Sequence, residues 1–407
     1  MNRILIRAGD ALYGPSLAAY AAAAARRSAA PGRSASAVLD LERLFDDALP
    51  VVVREERFCA WLFRVGDDGA LGAQFSALEA ACAAALDATA AGGPASLQRV
   101  ELLGAAALCD GRADRARAAA RDRAAGADGD GGDRAREPES AYVAGLYGRL
   151  RERAAAGFRD LSAATAAGLL KSDVGRFRRR DRKRAGTPSE AAVDFVAFAR
   201  TVEAASHAGD RARSQLGEPA IAAAAAALGD FVEGPVAAAS AKYADVHRLE
   251  SYSYAAAALR RPRPSPFLAE TADAFADRAR HAGRRYAAWM FAYAFPKLVA
   301  YFTKLETLVE TRGPAEARIH EPEKTLAALK QGLASPRLEA GLKSLADRLD
   351  KHFVSPAADP ALRTRLRASV FDHAAATWAS FDALARAVYG EGLEPGAARF
   401  RSLLASL

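Results

Sequence analysis

The sequence predicts an all-α protein whose antiparallel helical bundles stack into an elongated rod. Three observations lead there. The apolar fraction is 51%, much of it alanine, the residue with the highest helix propensity. Apolar side chains recur at three-, four- and seven-residue spacings in one segment after another, the period of an amphipathic helix. No stretch alternates apolar and polar residues for long enough to propose a strand. So many separate helical patterns favour stacked bundles over one globular core.

The first segment, 1–125, is expected to form an N-terminal bundle. Leu41, Leu44, Phe45, Ala48, Val52, Phe58 and Leu62 share one helical face, bent or broken at Pro50. Gly66-Asp67-Asp68-Gly69 reads as a turn, and a second pattern follows through Phe75, Leu78 and Cys82 to Gly92-Gly93-Pro94. A third runs from Leu97 through Leu102, Leu103 and Leu108. Residues 126–138 are rich in Gly and Asp and hold no large apolar residue, so a flexible linker is expected there.

A middle bundle is expected over 139–261. Its patterns are Tyr142-Leu146-Leu150, Val193-Val196-Ala199-Val202 and an alanine-rich run from Ile221 to Val232. Pro262, Pro264 and Pro266 predict a short extended break. The C-terminal bundle, 267–407, carries the clearest stripes. One is Leu298, Phe302, Leu305 and Val309; a second is Leu338, Leu342, Leu345, Leu349 and Phe353. A third comprises Leu366, Val370, Trp378, Phe381, Leu384 and Val388. Breaks are expected at Arg312-Gly313-Pro314, Ser335-Pro336 and Ser355-Pro356. The three tryptophans, Trp61, Trp289 and Trp378, sit within such patterns and are expected as core anchors.

The 407 residues carry 57 Lys and Arg against 49 Asp and Glu, a net charge of +8. Cys59, Cys82 and Cys109 form no C-x-x-C pair, which argues against a disulfide scaffold or a cysteine zinc site. No segment approaches the ~20 apolar residues that span a bilayer, and the N-terminus lacks the apolar core of a secretory signal. A soluble cytoplasmic protein is expected.

Catalytic chemistry has little to start from. The six histidines stand at least 21 residues apart, so the paired spacing of a helical zinc site is missing. Each is expected at the surface or half-buried. The glycines of 126–132 precede no Lys-Ser/Thr, and their aspartates would repel a phosphate. There is no G-x-S-x-G elbow, and adjacent acids such as Asp46-Asp47 and Glu55-Glu56 point about 100° apart on a helix. The expectation is no enzyme, no cofactor and no metal.

One charge feature stands out. Lys171, Arg176, Arg178, Arg179, Arg180, Arg182, Lys183 and Arg184 with Asp173 and Asp181 give 171–184 a net charge of +6. Such a cluster suits an anionic membrane or an acidic partner, nucleic-acid phosphates or a nuclear import signal, or plain solvation screened by salt. Phe177 is the only aromatic within it, which weakens the case for stacking on bases.

The stretch from about Lys242 to the C-terminus resembles the C-terminal region of the exocyst complex component one family, the Sec-three-like subunit. The residues are Trp289-Met290-Phe291 through Phe295-Pro296-Lys297-Leu298 to Phe302, then Leu305-Glu306-Thr307-Leu308. The segment from Leu338 to Leu349 closing on Lys351-His352-Phe353, the pair Val370-Phe371 with Trp378 and Phe381, and Ala387-Val388-Tyr389-Gly390 with Phe400 and Leu403-Leu404 follow in the family's order. Leu44 to Pro50 and Glu55 to Phe63 add a weaker similarity. In the family, two residues separate the Pro from the Lys-Leu, whereas Pro296 directly precedes Lys297.

The resemblance implies a rod-like subunit that tethers secretory vesicles at the plasma membrane before fusion. Other exocyst subunits would be its partners, together with small GTPases and anionic phospholipids. Phe295, Pro296, Lys297, Leu298, Phe302, Lys351, His352 and Phe353 would be structural motif residues. The family's phosphoinositide-binding pleckstrin-homology-like domain and its coiled coil have no counterpart in the sequence, so either a shortened gene model or a reduced subunit is expected. The alternative from another class is a basic helical nucleic-acid-binding protein acting through 171–184.

Overall fold

A computed structural model describes residues 42, 45–46, 76–91, 100–125, 141–172, 188–206, 210–239, 243–260, 263–333, 335–353 and 360–407. Among these residues every regular element is a helix, and no strand occurs. The chain divides into two compact units, one of Met1–Lys171 with Asp194–Leu228, the other of Ser172–Val193 with Gly229–Leu407. The stretch 139–261 therefore contributes to both.

In the first unit, α1 (Ser76–Ala90), α2 (Glu101–Ala125) and α3 (Ala141–Leu170) pack on one another. Leu102 lies beside Gly157 and Asp110 beside Arg151, so α2 runs antiparallel to α3. Their faces bury Leu78, Cys82 and Leu86 from α1, Leu102, Leu103 and Cys109 from α2, and Tyr142, Leu146, Leu150 and Phe158 from α3. At about 25 cal/mol per Å² of apolar surface, these stripes rather than local propensity hold the helices. Helix α2 extends well past Leu108 because its later turns still carry helix-favouring Ala and Arg. Phe45 meets Tyr147 edge-on, ring centroids 4.9 Å apart. The rest of the first expected helix, Trp61, Cys59 and the 126–138 linker lie outside the described residues.

Three α3 arginines add direction to this packing. Arg149 grips Glu79 with two hydrogen bonds of 2.7 and 2.8 Å, and Arg153 reaches Asp87 at 2.8 Å, both on α1. Arg151 points the other way, to Asp110 on α2 at 2.6 Å. The Arg149 hydrogen bond outweighs partial burial and holds the Glu79 carboxyl below its usual range.

Helix α4 (Glu190–Ser206) and helix α5 (Glu218–Phe231) follow. Ser189 caps α4, its Oγ accepting from the Ala192 N–H at 3.1 Å. Val193 does not join the buried stripe; it is 40% exposed. The core face is centred on Phe195, Phe198, Ala199 and Val202, and two residues at about 100° each put Val193 roughly 160° from Phe195. Wider π-turns flank α5, Arg213–Gly217 before Pro219 and Val232–Val236 around Pro235. Each lets the helix accommodate a residue with no N–H to donate.

The second unit begins with the hairpin of α6 (Ala244–Leu259) and α7 (Pro266–Ala294). Asp245 pairs with Arg285 and Arg260 with Asp273, so the two run antiparallel. The expected extended break differs in detail. Arg263 has a φ of 45° and Ser265 is extended. Pro266 already belongs to α7, because its fixed φ suits the first helical position while the Ser265 Oγ accepts from the Leu268 N–H at 3.2 Å.

Helix α7 ends at Ala294 and α8 (Pro296–Arg312) starts two residues later. Phe295 sits at the corner with φ −130° and ψ 58°, outside the helical region that a following proline disfavours. Gly313, with φ 84°, ends α8, a conformation that glycine adopts without a Cβ clash. Then come α9 (Pro314–His320), α10 (Glu323–Gly332) and α11 (Ser335–His352). Ser335 and Pro336 thus open α11 rather than separating helices, proline being tolerated in a first turn. The Ser355-Pro356 break lies outside the described residues. Helices α12 (Pro360–Tyr389) and α13 (Ala397–Ala405) close the chain.

Among the described residues, two clusters make up much of this unit's core. Phe291, Phe295, Leu298, Phe302, Trp378, Phe381 and Phe400 dominate one, and Tyr286, Met290, Leu366 and Val370 the other. The α11 stripe serves both, with Leu338 and Leu342 in the first and Leu345, Leu349 and Phe353 in the second. Among the described helices none is long and apolar enough to cross a membrane.

Candidate functional site

Small residues open a groove in the second unit. On α6, Leu249, Ser253, Ala256, Ala257 and Arg260 recur at helical spacing along one face. Ala276, Ala279, Arg280, Gly283 and Arg284 do the same on α7, and Ala361, Leu362, Arg365, Leu366 and Ser369 on α12. Where Tyr252 faces Phe275 the hairpin is filled, ring centroids 5.8 Å apart. Along the alanine and glycine positions the missing side-chain volume leaves a trough of about 680 Å³, open to solvent on one side. Three leucines with the alanines make its floor apolar.

The rim is cationic. Arg260, Arg280, Arg284 and Arg365 are all exposed. Arg260 reaches Asp273 at 2.5 Å and Arg280 pairs with Asp277. Arg284 makes no ion pair with the described residues, whereas its neighbour Arg285 is held by Asp245 at 2.9 Å. Ser253, 9% exposed, is among the residues that line the trough. None of the described residues lining the trough is His, Cys, Asp or Glu. The trough thus combines a small apolar floor with an arginine rim.

A tied network sits beside it. The Tyr252 hydroxyl donates to Glu233 at 2.9 Å, and Arg248 joins Glu233 to Asp245 at 2.7 and 2.9 Å. Burial, then the Glu233 charge, pushes the Tyr252 phenol up, so it stays a donor. A second polar node links Tyr301 and Tyr389, whose hydroxyls are 2.7 Å apart, to the Glu321 carbonyl, with Lys304 on the Glu321 carboxylate. Burial raises both phenols, so these groups fasten α8, α12 and the end of α9 rather than move protons.

The sequence-predicted site residues fall elsewhere. Lys171 closes α3, its N–H bonded to the Ala167 and Gly168 carbonyls. Arg176, Arg178, Arg179, Arg180, Arg182, Lys183 and Arg184 lie outside the described residues. Phe295, Leu298, Phe302 and Phe353 are core side chains, while Pro296, Lys297 and Lys351 are exposed. His352 corrects the expectation of a surface or half-buried histidine. It is 3% exposed, its Nδ1 is 2.9 Å from the Tyr286 hydroxyl, and Trp289 stacks on its ring at 5.8 Å. A satisfied hydrogen bond permits that burial. Of the tryptophans, Trp378 is fully buried and Trp289 partly so.

The rim arginines escaped sequence reasoning because three helices supply them. The traceable signal was weak: small residues paired with arginine at i, i+4 on α7, Ala276-Arg280 and Gly283 beside Arg284. Comparison with protein-family models, curated proteins and solved structures finds no match to this chain.

Proposed function

We propose that this protein is a non-catalytic helical scaffold, a subunit of an exocyst-type assembly that tethers secretory vesicles at the plasma membrane. One observation carries the proposal. The stretches that resemble the exocyst component one family, far apart in sequence, meet in two core clusters of the second unit: Phe291, Phe295, Phe302, Leu338, Leu342, Trp378, Phe381 and Phe400 in one, Met290, Leu345, Leu349, Phe353 and Val370 in the other. That these stretches pack against one another supports the reading.

In this reading the bundles stack into a rod, other tethering subunits bind its flanks, and anionic phospholipids or small GTPases place it peripherally on the membrane. The arginine-rimmed trough suits such recruitment, because it offers an apolar floor with fixed positive charge. Depleting the protein from its own cells and imaging them tests the function. Accumulation of undocked secretory vesicles is expected; unaltered secretion contradicts the proposal. A nucleic-acid role through 171–184 would show instead as duplex binding that falls steeply with salt.

A further inference from the structure

We infer that the surface around Tyr293 and Arg348, where α7 and α11 lie side by side, binds a short acidic segment of a partner protein that carries an aromatic or aliphatic anchor. The inference goes beyond the tethering reading and does not depend on it.

Tyr293 is the only exposed aromatic among the described side chains, at 46%. It is nonetheless held in place. The Arg348 guanidinium carbon lies 3.5 Å from its ring centroid, and Nη2 donates to its hydroxyl at 2.7 Å. Trp289 supports the ring from 5.9 Å and itself stacks on the buried His352, whose Nδ1 is 2.9 Å from the Tyr286 hydroxyl. Helix spacing produces this alignment. Tyr286, Trp289 and Tyr293 stand at i, i+3 and i+7 on α7, and Arg348 and His352 at i and i+4 on α11. A continuous row of contacts therefore runs from the core to the surface and fixes Tyr293 and Arg348 before any partner arrives, so little side-chain entropy is left to lose on binding. Trp, Tyr and Arg are also the side chains that dominate binding energy at interfaces.

Charge selects the occupant. Arg348, Lys297, Lys343 and Lys351 form no ion pair with the described residues. Lys351 stands one turn from Arg348 on α11, and the Cα of Lys297 lies within about 14 Å of that of Tyr293, the reach of four residues. From Lys343 to His352 the acids are Asp347 and Asp350, and Arg363 engages Asp350 at 2.9 Å. A guanidinium laid on an aromatic ring keeps its outer N–H groups for a carboxylate, while the exposed part of the Tyr293 ring offers contact area to an apolar side chain. A second copy of this chain would bring the same cations against these, which is repulsive. A single-stranded nucleic acid needs successive open ring faces. Here Trp289 is already stacked on His352 and overlain by Arg348 at 6.0 Å, and Arg348 covers Tyr293 as well.

The test selects phage-displayed random peptides of about 12 residues on the purified full chain. Enriched peptides are expected to carry a Trp, Phe or Leu with Asp or Glu beside it. The strongest, synthesised with a fluorescent label, should lose about tenfold or more in affinity on Tyr293→Ala and on Arg348→Ala, a loss typical of an interface hot spot. Arg348→Lys keeps the charge without the planar fork and should lose nearly as much. Lys351→Glu should weaken binding several-fold, and Asp347→Asn should strengthen it, which a merely disturbed fold would not do. Both change exposed side chains, so they decide the matter even if circular dichroism shows that an aromatic or arginine variant does not fold. Enrichment without acidic bias, binding unchanged by the variants, or no enrichment would overturn the inference. So would an oligothymidylate of about 15 nucleotides that binds more tightly than the peptide and is lost on Tyr293→Ala, which would make this a nucleic-acid site. Dimerisation of the chain that Tyr293→Ala abolishes would also overturn it, the occupant then being a second copy. None of these readouts depends on vesicle docking, so the inference and the tethering proposal fail separately.

Discussion

Trp378 lies flat on Phe400, with ring centroids 4.1 Å apart and planes 6° from parallel, and its Nε1–H donates to the Pro395 carbonyl at 2.9 Å. Both rings are fully buried. With Leu404 of α13 in the same cluster, this contact fastens α13 to α12, while Asp382 accepts the Leu393 N–H at 2.7 Å and fixes the connection between them.

Trp378→Ala and Phe400→Ala should therefore each cost about 3–5 kcal/mol of stability, as aromatic-to-alanine changes in a packed core do. Because the rings share one contact, the double variant should cost less than the two singles combined. Trp378→Phe keeps an aromatic face but orphans the Pro395 carbonyl, worth about 1–3 kcal/mol. Urea unfolding of the full chain measures all four. Strict additivity would show that the rings do not depend on each other.

Two helical glycines should respond oppositely to alanine. A Cβ on Gly341 would stand 2.6 Å from Cε1 of the buried Phe295 ring, so Gly341→Ala must displace the corner of α7 and α8 and should cost about 1–3 kcal/mol. On Gly283 the Cβ would meet Leu249 at 3.6 Å and Leu366 at 3.9 Å, ordinary contacts. Gly283→Ala should gain up to about 1 kcal/mol from helix propensity alone. Thermal melts of both variants compare them directly.

Alkaline pH should weaken the first unit. Burial pushes the Cys82 and Cys109 thiols up from 9.0 to about 12, and the Tyr142 phenol up from 10.0 to about 12. A raised acid favours its protonated, folded form, so the stabilisation is complete below pH 9.0 and drains away between there and about pH 12. Melting temperatures recorded from pH 7.5 to 10.5 should fall above pH 9. The fall should shrink in a Cys82→Ala, Cys109→Ala chain even though that chain starts lower. An unchanged slope would remove the thiols from the explanation.

Ser265→Ala should cost about 1 kcal/mol, the usual loss for an N-cap, because its Oγ alone among described side chains satisfies the Leu268 N–H at the start of α7. Ser265→Asp should restore it. Denaturant midpoints of the two variants make the comparison.

What could be read in the sequence was what repeats along it. The stripe of Leu338, Leu342, Leu345, Leu349 and Phe353 is buried at every position, since one helix carries it and burial follows its period. Val193 failed at the margin of such a stripe, where the orientation of the face is set by Phe195 and Phe198 packing rather than by spacing. Leu338 and Leu345 look equivalent in sequence yet enter different clusters, a choice made by what lies opposite each. The trough was invisible for the same reason. Arg260, Arg284 and Arg365 are distant in the chain and unremarkable in a basic protein, and only the fold brings them around Gly283 and the alanines. His352 looked like a surface residue because nothing local announces Tyr286 as its partner.

The decisive measurement is native mass spectrometry of the chain purified, under mild cross-linking, from the cells that make it. If it is a tethering scaffold, it should emerge in defined stoichiometry with other long helical subunits of a vesicle-tethering complex. Emergence as a lone chain, or bound to nucleic acid with no such subunit, would contradict it.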